Sequence, residues 1–361
     1  MRGGPNQRIL FKVFWHMKWF FLNALRNLSN PGYALIVYTL IKPLNMKTLL
    51  SVLIVLPLLA AGQSAVDKAK GLYENKKYAE AIKLLEEIDD DHQDYAVAQF
   101  YLGRIAFDQK EYDDAADYFE EASEANDKVA DYFLWLGDTY GTIARDANVV
   151  RQGFLAPKMK AAWEKTIALD PKNISARESL VEYYTQAPGF MGGSFEKAKE
   201  VGNQIIKLNP ALGHRVMGNI FVREKNIPAA EKEFIEMARI DPKFNSALAN
   251  FYTGQQQYDK AFALIDDMLK KNPEDILTSY LYGRTSAISG KQLDKGEQYL
   301  RKYLAYTPKQ NEPSHAGANM RLAQVYEKRG NKAEAKKLFE TALKLDNSLK
   351  EAKEGLERVS K

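Results

Sequence analysis

The segment Phe133–Tyr140, FLWLGDTY, decides the fold because its arrangement of apolar and small residues recurs along the chain. Thirty-four residues earlier stands Gln99–Ala106, QFYLGRIA, with the Leu-Gly pair at the same positions. Near the end, Leu322–Tyr326, LAQVY, keeps the Leu, a small residue and the Tyr. Apolar residues three and four positions apart share one face of a helix. Each copy therefore predicts an amphipathic helix.

A second phrase follows these helices and shows a different order of small and aromatic residues. It reads AADYFEEA at Ala115–Ala122 and AKKLFETA at Ala335–Ala342. Together the two phrases resemble the tetratricopeptide repeat, a 34-residue pair of antiparallel helices. The resemblance covers nearly all of residues 65–361. It implies an all-α, right-handed superhelix of about eight antiparallel helix pairs with a C-terminal capping helix.

Proline phrases mark where the second helices end. Proline cannot continue a helix, and it pushes the preceding residue out of the α region. Eight repeats are predicted to begin near residues 62, 96, 130, 174, 211, 242, 276 and 316, and Leu349–Lys361 is predicted to cap the array. The phrases are Leu169-Asp170-Pro171, Leu208-Asn209-Pro210, Ile240-Asp241-Pro242, Lys271-Asn272-Pro273 and Tyr306-Thr307-Pro308.

Small residues at a fixed phase are predicted to lie where paired helices approach each other, with larger apolar residues filling the space beside them. They are Gly103, Gly137, Gly218, Gly283, Ala249 and Ala323 on the first helices and Ala81, Ala115, Ala198, Ala230, Ala261 and Ala335 on the second helices.

Repeats three and four carry insertions. The first, Ala144–Gly153, is compatible with a helix as far as Gly153. The second, Gln186–Ser194, predicts a loop from its Pro and Gly content. Insertions at the same place in adjacent repeats lie on one side of an array and often form a working face. The alternative is a longer turn with no role. Phe190 and Met191 are the loop residues that favour a binding role.

The resemblance also implies a ligand groove, because in this family the first helix of each repeat lines the concave face. Transferred residue by residue, it predicts a groove that is aromatic and basic at its N-terminal end, acidic in the middle and basic again toward the C-terminus. The predicted residues are Lys70, Tyr73, Phe100, Arg104, Phe107, Asp131, Leu134, Asp138, Glu178, Glu182, Arg215, Asn219, Asn250, Tyr280, Arg284, Met320 and Gln324.

Met46–Gly62 has the composition of a secretory signal peptide: a basic start, an apolar stretch and small residues at the cut. Residues 65–361 are then the helical array. Because a signal normally starts a chain, residues 1–45 are predicted to be upstream sequence outside the protein, or else a membrane-associating segment. The signal predicts a periplasmic or secreted protein. If it is not cleaved, the protein is anchored in the inner membrane, and this leader is its one predicted membrane contact.

Charge and composition argue against several function classes. The net charge of +4 comes from seven basic residues and no acid in residues 1–65, and acids exceed bases by three in the remainder. Nucleic-acid binding needs a concentrated basic patch, so none is predicted. The chain lacks cysteine, and its four histidines are scattered through the sequence. No cofactor, metal site or catalytic motif is predicted.

The residues and the resemblance together predict a non-catalytic, exported scaffold that binds a peptide or partner protein in its groove. A membrane-tethered structural assembly factor of the cell envelope is the main alternative. A weaker alternative is an enzyme whose site is formed by the two insertions, for which the first insertion offers Arg145, Asp146 and Arg151.

Overall fold

A computed structural model describes residues 64–361, and in this range the chain forms seventeen α-helices and no strand. The chain divides after Asp90 into two compact units. The described part of the first unit holds one helix pair, α1 (Ala65–Glu74) and α2 (Tyr78–Leu85). The prediction of an all-α fold is confirmed.

The second unit is a series of seven helix pairs followed by one last helix, and each helix packs against its partner in the pair. The predicted starts of all eight repeats agree with the observed first helices to within three residues. The pairs are α3 (Tyr95–Gln109) with α4 (Tyr112–Ala125), α5 (Ala130–Asp146) with α6 (Val149–Leu169), α7 (Ile174–Gln186) with α8 (Phe195–Leu208), α9 (Pro210–Arg223) with α10 (Ile227–Ile240), α11 (Asn245–Gly254) with α12 (Tyr258–Lys271), α13 (Ile276–Ser289) with α14 (Leu293–Leu304), and α15 (His315–Lys328) with α16 (Lys332–Leu345), and the last helix is α17 (Lys350–Ser360).

Several first helices carry a glycine at the position that faces the paired helix, because a large side chain of that helix fills the space where a Cβ would lie. A Cβ on Gly103 would come within 2.7 Å of the Phe119 ring, and one on Gly283 within 2.3 Å of Leu300. In repeats that carry alanine instead, Ala249 and Ala323 are fully buried. The predicted core role of the small residues is confirmed at every one of these positions.

Six of the eight second helices between residues 64 and 361 end on one extended residue, whereas α2 and α14 end on Glu86 and Ala305 in the α region. Asp170, Asn209 and Asp241 have φ of −125°, −146° and −139° and ψ near +100°, so the helix stops and the chain reverses. Asn126 and Asp346 adopt the same backbone without a proline after them. The helix ends predicted from four of the proline phrases are confirmed, but α14 ends at Leu304, two residues before Tyr306-Thr307-Pro308 begins. The acidic or amide residue at the helix end is the more general signal.

The first insertion lengthens both helices of repeat three rather than ending one. Helix α6 runs for 21 residues and passes through Gly153 and Pro157, so the prediction that the helix ends at Gly153 is wrong. The break falls earlier, where the Asn148 side chain accepts a hydrogen bond of 3.0 Å from the backbone N–H of Arg151 and starts α6. The second insertion is a loop with one 3₁₀ turn, Gly189–Met191, as predicted.

A ladder of three ion pairs joins α6 to α4, the second helix of the preceding repeat, and to Asp127 in the turn that follows α4. Lys158 Nζ lies 2.8 Å from Glu120 Oε1, and Lys165 Nζ lies 3.3 Å from Asp127 Oδ2. Arg151 pairs with Asp113 one further step along. Residues seven apart lie on one helix face, so Arg151, Lys158 and Lys165 mark the face of α6 that is turned toward α4.

The last helix closes the array as predicted. Val359 is buried and Leu356 is partly buried against the core of the eighth repeat. Gly355 lies against Phe339, so α17 repeats the contact that a first helix makes with a second one.

Within residues 64–361, no helix combines the length and apolar character needed to cross a membrane.

Replacing Gly283 by alanine should destabilise the protein by about 1–3 kcal/mol, because the new methyl overlaps Leu300 in a packed core. Gly141→Ala is the matched control on another first helix. Its Cβ would meet Trp163 at an ordinary 3.6 Å, and the gain in helix propensity is up to about 1 kcal/mol. Urea unfolding of the two variants measures the difference. Equal stability of both would contradict the close-packing explanation.

Candidate functional site

The two insertions meet at a cleft of about 500 Å³. Its walls come from α5, α6 and α7 and from the second inserted loop. Gln152 of the first insertion and Met191 of the second line the same cleft, and a Cβ built on Gly153 would lie 4.0 Å from the Met191 methyl, so the two insertions lie side by side. The prediction that both lie on one side of the array is confirmed. The volume falls within the usual range for small-ligand sites.

Asp138 is the partly buried acid of this cleft. Its Oδ1 accepts hydrogen bonds from the Trp163 indole N–H at 2.8 Å and from the Ser179 hydroxyl at 3.1 Å. Burial raises the pKa of the Asp138 carboxyl above its usual value, and the two hydrogen bonds oppose that shift only in part. The carboxylate is therefore held in a fixed orientation at some electrostatic cost.

The second inserted loop is pinned to α7. The Tyr183 hydroxyl donates to the Met191 carbonyl, and the backbone N–H of Ser194 donates to the Tyr184 carbonyl at 2.8 Å. Gly193 is required here because a Cβ would lie 1.8 Å from the Ala187 carbonyl oxygen. Such a loop presents the Met191 side chain to the cleft in a defined place.

The first insertion is tied down in a comparable way. The Gln152 side-chain amide donates to the carbonyls of Ala144 and Ala147 at 3.0 and 3.1 Å, which joins α6 to the end of α5. The remaining polar residues of the cleft are Arg145 and Glu182 at its exposed edge, Gln186, which donates to Glu182 Oε1 at 2.5 Å, and Thr142, whose hydroxyl donates to the Asp138 backbone carbonyl at 2.9 Å. Both insertions thus form walls of the cleft that hydrogen bonds hold in place.

Apolar side chains are exposed around the two insertions. Phe154 is 73% exposed, and Val149 and Val150 are 64% and 70% exposed near the start of α6. Phe190 is 81% exposed on the second loop. Four of the nine large apolar residues that are exposed between residues 64 and 361 therefore belong to the insertions or the adjoining turn of α6, which is typical of a contact surface.

Several predicted groove residues are packed rather than open. Phe100 is only 9% exposed and stacks with Tyr132 and Phe119, which corrects its assignment to the groove. Met320, 5% exposed, lies in the core of the last repeat and is corrected for the same reason.

Other predicted residues are partly covered. The Arg104 guanidinium lies 4.1 Å above the Trp135 ring, which also contacts Phe107. Leu134 packs against the core, and the Tyr280 ring lies 4.9 Å from that of Tyr303. These side chains are partly exposed, but much of their surface is buried against neighbouring side chains of the core.

The structure brings some predicted groove residues of neighbouring repeats together. Arg215 donates to Glu178 at 2.9 Å, and Arg284 donates to Asn250 at 2.6 Å. These contacts place first helices of adjacent repeats along a common face. Asp131, Asn219 and Lys70 are exposed on their helices, and Tyr73 is partly buried against Tyr78. Gln324 is partly buried and accepts from Arg321.

Of the predicted residues, Asp138, Glu182 and Met191 line the cleft. Phe190 is exposed outside it. Arg145, named with the enzyme alternative, also lines it, whereas Arg151 turns away toward α4. Trp163, Ser179, Tyr183 and Gln152 were not predicted.

Comparison with known proteins agrees with this architecture. Residues 66–138 and 316–349 each match the family description "Tetratricopeptide repeat". The chain therefore contains tetratricopeptide repeats in these two segments. The structure of such a protein from Parabacteroides merdae resembles it over 74% of this chain and 99% of that one, with 16% identity and a TM-score of 0.50. That likeness concerns the fold.

Two further solved structures of tetratricopeptide-repeat proteins are similar to parts of this one. The C-terminal part of a protein from Cytophaga hutchinsonii aligns over 81% of this chain and 99% of that one, with 16% identity and a TM-score of 0.42. A protein from Thermus thermophilus aligns over 54% of this chain and 98% of that one, with 21% identity and a TM-score of 0.37. No curated protein matches the sequence.

The spacing between equivalent residues of the repeats explains how Trp163 could have been found. Trp163 packs on Gly137 as Phe119 packs on Gly103 and Phe234 on Gly218. Only the indole brings an N–H to this position, and the residue after Gly137 is an acid. An insertion had shifted Trp163 away from the expected spacing, which concealed the equivalence in sequence.

Asp138→Asn should be more stable than the wild type near pH 7, because it keeps the oxygen that accepts from Trp163 and removes a partly buried charge. The raised pKa means that the folded state binds the proton more tightly than the unfolded state. Wild-type stability from this group is therefore present at low pH and lost as pH rises through the folded pKa. Urea unfolding of both proteins as a function of pH should show their difference shrinking with acidification; a difference that is constant with pH would contradict this.

Proposed function

We propose that this tetratricopeptide-repeat protein is an exported scaffold that binds an extended peptide or partner segment at the cleft between its two insertions. The observation that carries the proposal is the convergence of both insertions on one cleft. The family typically provides interaction surfaces rather than catalysis, which supports a binding role. The adjoining first helices would extend the contact surface along the array.

The construction of the cleft supports this role over that of a longer turn. A turn without function needs neither the obligatory Gly193 nor the bond from Tyr183 to the Met191 carbonyl. Fixing the loop in advance reduces the conformational entropy lost when a ligand binds. The exposed Phe154 and Phe190 would give a bound partner apolar area to bury at the edges.

We propose a binding cleft rather than an active site because its polar groups have structural roles. Oδ1 of Asp138 is occupied by Trp163 and Ser179, and Glu182 is exposed at the edge with Gln186 as its donor. The Tyr183 hydroxyl is occupied by the Met191 carbonyl. This arrangement provides a fixed charge and apolar walls, which suit recognition.

Export is proposed from the signal-like segment Met46–Gly62, with a periplasmic or secreted location. The alternative is a membrane-tethered assembly factor of the cell envelope, for which the apolar surface at Val149, Val150 and Phe154 offers support. The two differ in whether the leader is retained.

A photo-crosslinking amino acid at position 190 should capture the partner, because this position lies on the exposed second loop. The same amino acid at Ile235, also exposed but on α10 in the next repeat, is the matched control. We expect a discrete adduct, identified by mass spectrometry, from position 190 and none from position 235. Adducts of equal yield at both positions, or at neither, would count against the insertion cleft as the contact site.

The mature N-terminus distinguishes the two proposals on export. Intact-mass analysis of protein from the source cells should give a chain that starts close to Gln63 and fractionates with soluble exported proteins. A chain that retains Met46–Gly62 and sediments with membranes after a high-salt wash would support the tethered alternative instead.

A further inference from the structure

We infer that the insertion cleft receives a basic side chain, Lys or Arg, from the bound segment. This inference rests on the proposed function and specifies what that site recognises. It starts from the observation that the two oxygens of the Asp138 carboxylate do not accept the same number of hydrogen bonds. The hydrogen bonds of Trp163 and Ser179 both reach Oδ1. No group within residues 64–361 donates a hydrogen bond to Oδ2, and Asp138 lines the cleft.

A fixed carboxylate that is partly withdrawn from water and has one oxygen still available is a strong acceptor for a cation. An ammonium or guanidinium group would offer Oδ2 a charge-assisted hydrogen bond, which is about twice as strong as a neutral one. The donors Trp163 and Ser179 already hold the carboxylate in place, so binding would not need to order it. The unfavourable burial of its charge would be relieved by the ligand's positive charge.

The second carboxylate lies on the facing helix. Glu182 of α7 lines the same cleft from its exposed edge. Arg145, seven residues after Asp138 and thus on the same face of α5, is the cation among the lining residues. The lining therefore carries two acids and one base, with a net negative charge. An anionic ligand group at Asp138 would be repelled, whereas the net negative lining favours a cation there.

The walls suit the aliphatic stem of such a side chain. Met159, Met191 and Ala156 line the cleft together with the Trp163 ring. Methionine side chains are flexible and polarizable and adapt to irregular apolar shapes. Lys and Arg bury their methylene groups against apolar surface while the charged end reaches a polar group. Apolar walls with an acid among them fit this type of side chain.

The test uses the indole N–H of Trp163 as a reporter, because it donates directly to Asp138. The probe is acetyl-Leu-Lys-Leu-amide, titrated into full-length protein labelled with ¹⁵N-tryptophan and followed by ¹H–¹⁵N NMR. We expect a saturable shift of the Trp163 indole signal. We expect little change at Trp135, which packs beneath Arg104 of the preceding repeat and does not line the cleft. The peptides with norleucine or glutamate in place of lysine should bind at least tenfold more weakly.

Asp138→Asn keeps the acceptor for Trp163 and should weaken binding of the lysine probe roughly tenfold to a hundredfold, the range for a hydrogen bond to a charged group. Asp117→Asn is the control, since it removes an equal charge from an exposed position on α4 outside the cleft. Its affinity should match the wild type. Glu182→Gln should have a smaller effect than Asp138→Asn.

Three results would overturn the inference: equal binding of the lysine and norleucine peptides, preference for the glutamate peptide, or unchanged affinity in Asp138→Asn. None of these would refute the scaffold proposal, because crosslinking at position 190 tests partner contact without regard to charge. Conversely, binding of the lysine probe without an adduct at position 190 would support the chemistry inferred for the cleft and would contradict the proposal that a partner protein binds there.

Discussion

The structure depends on the close contact between a small residue on one helix and a bulky one on its partner. Gly103 with Phe119, Gly137 with Trp163 and Gly283 with Leu300 are versions of one contact, repeated along the array. Each brings two helices near enough to exclude water from the space between them. Because a repeat cannot bury its apolar face alone, these contacts and their neighbours provide the stability of the whole.

This dependence explains which features could be predicted from sequence. Recurring small and apolar residues identified the repeats, and the proline phrases marked where most second helices end, since both constraints act between residues close in sequence. The capping helix was predicted from its two apolar positions, Leu356 and Val359, among charged residues. The burial of Phe100 could not be predicted from the pattern within its own repeat. Its helix position suits a groove, but contact with Tyr132 in the next repeat decides its burial. Which side of a first helix is covered depends on how successive repeats stack, and the pattern within one repeat does not contain that information.

The cleft shows a second limit. Pro and Gly correctly predicted a loop for the second insertion, whereas Gly153 misleadingly suggested the end of a helix in the first. Helix α6 continues because Asn148 provides a strong start just before it and Leu155 is buried against the preceding repeat. The pairing of Asp138 with Trp163 joins residues that the insertion had moved apart in sequence. Both errors arise where the regular spacing is interrupted, which is also where the candidate site lies.

The ion-pair ladder between α4 and α6 has a mechanical consequence for that site. Helix α6 forms one wall of the cleft, and rotation about its own axis would change the shape of the opening. The pairs with Asp113, Glu120 and Asp127 resist this rotation from the opposite face. All three are partly exposed, so dissolved salt weakens them. The small constraint that these pairs place on the cleft wall is therefore expected to weaken as ionic strength rises.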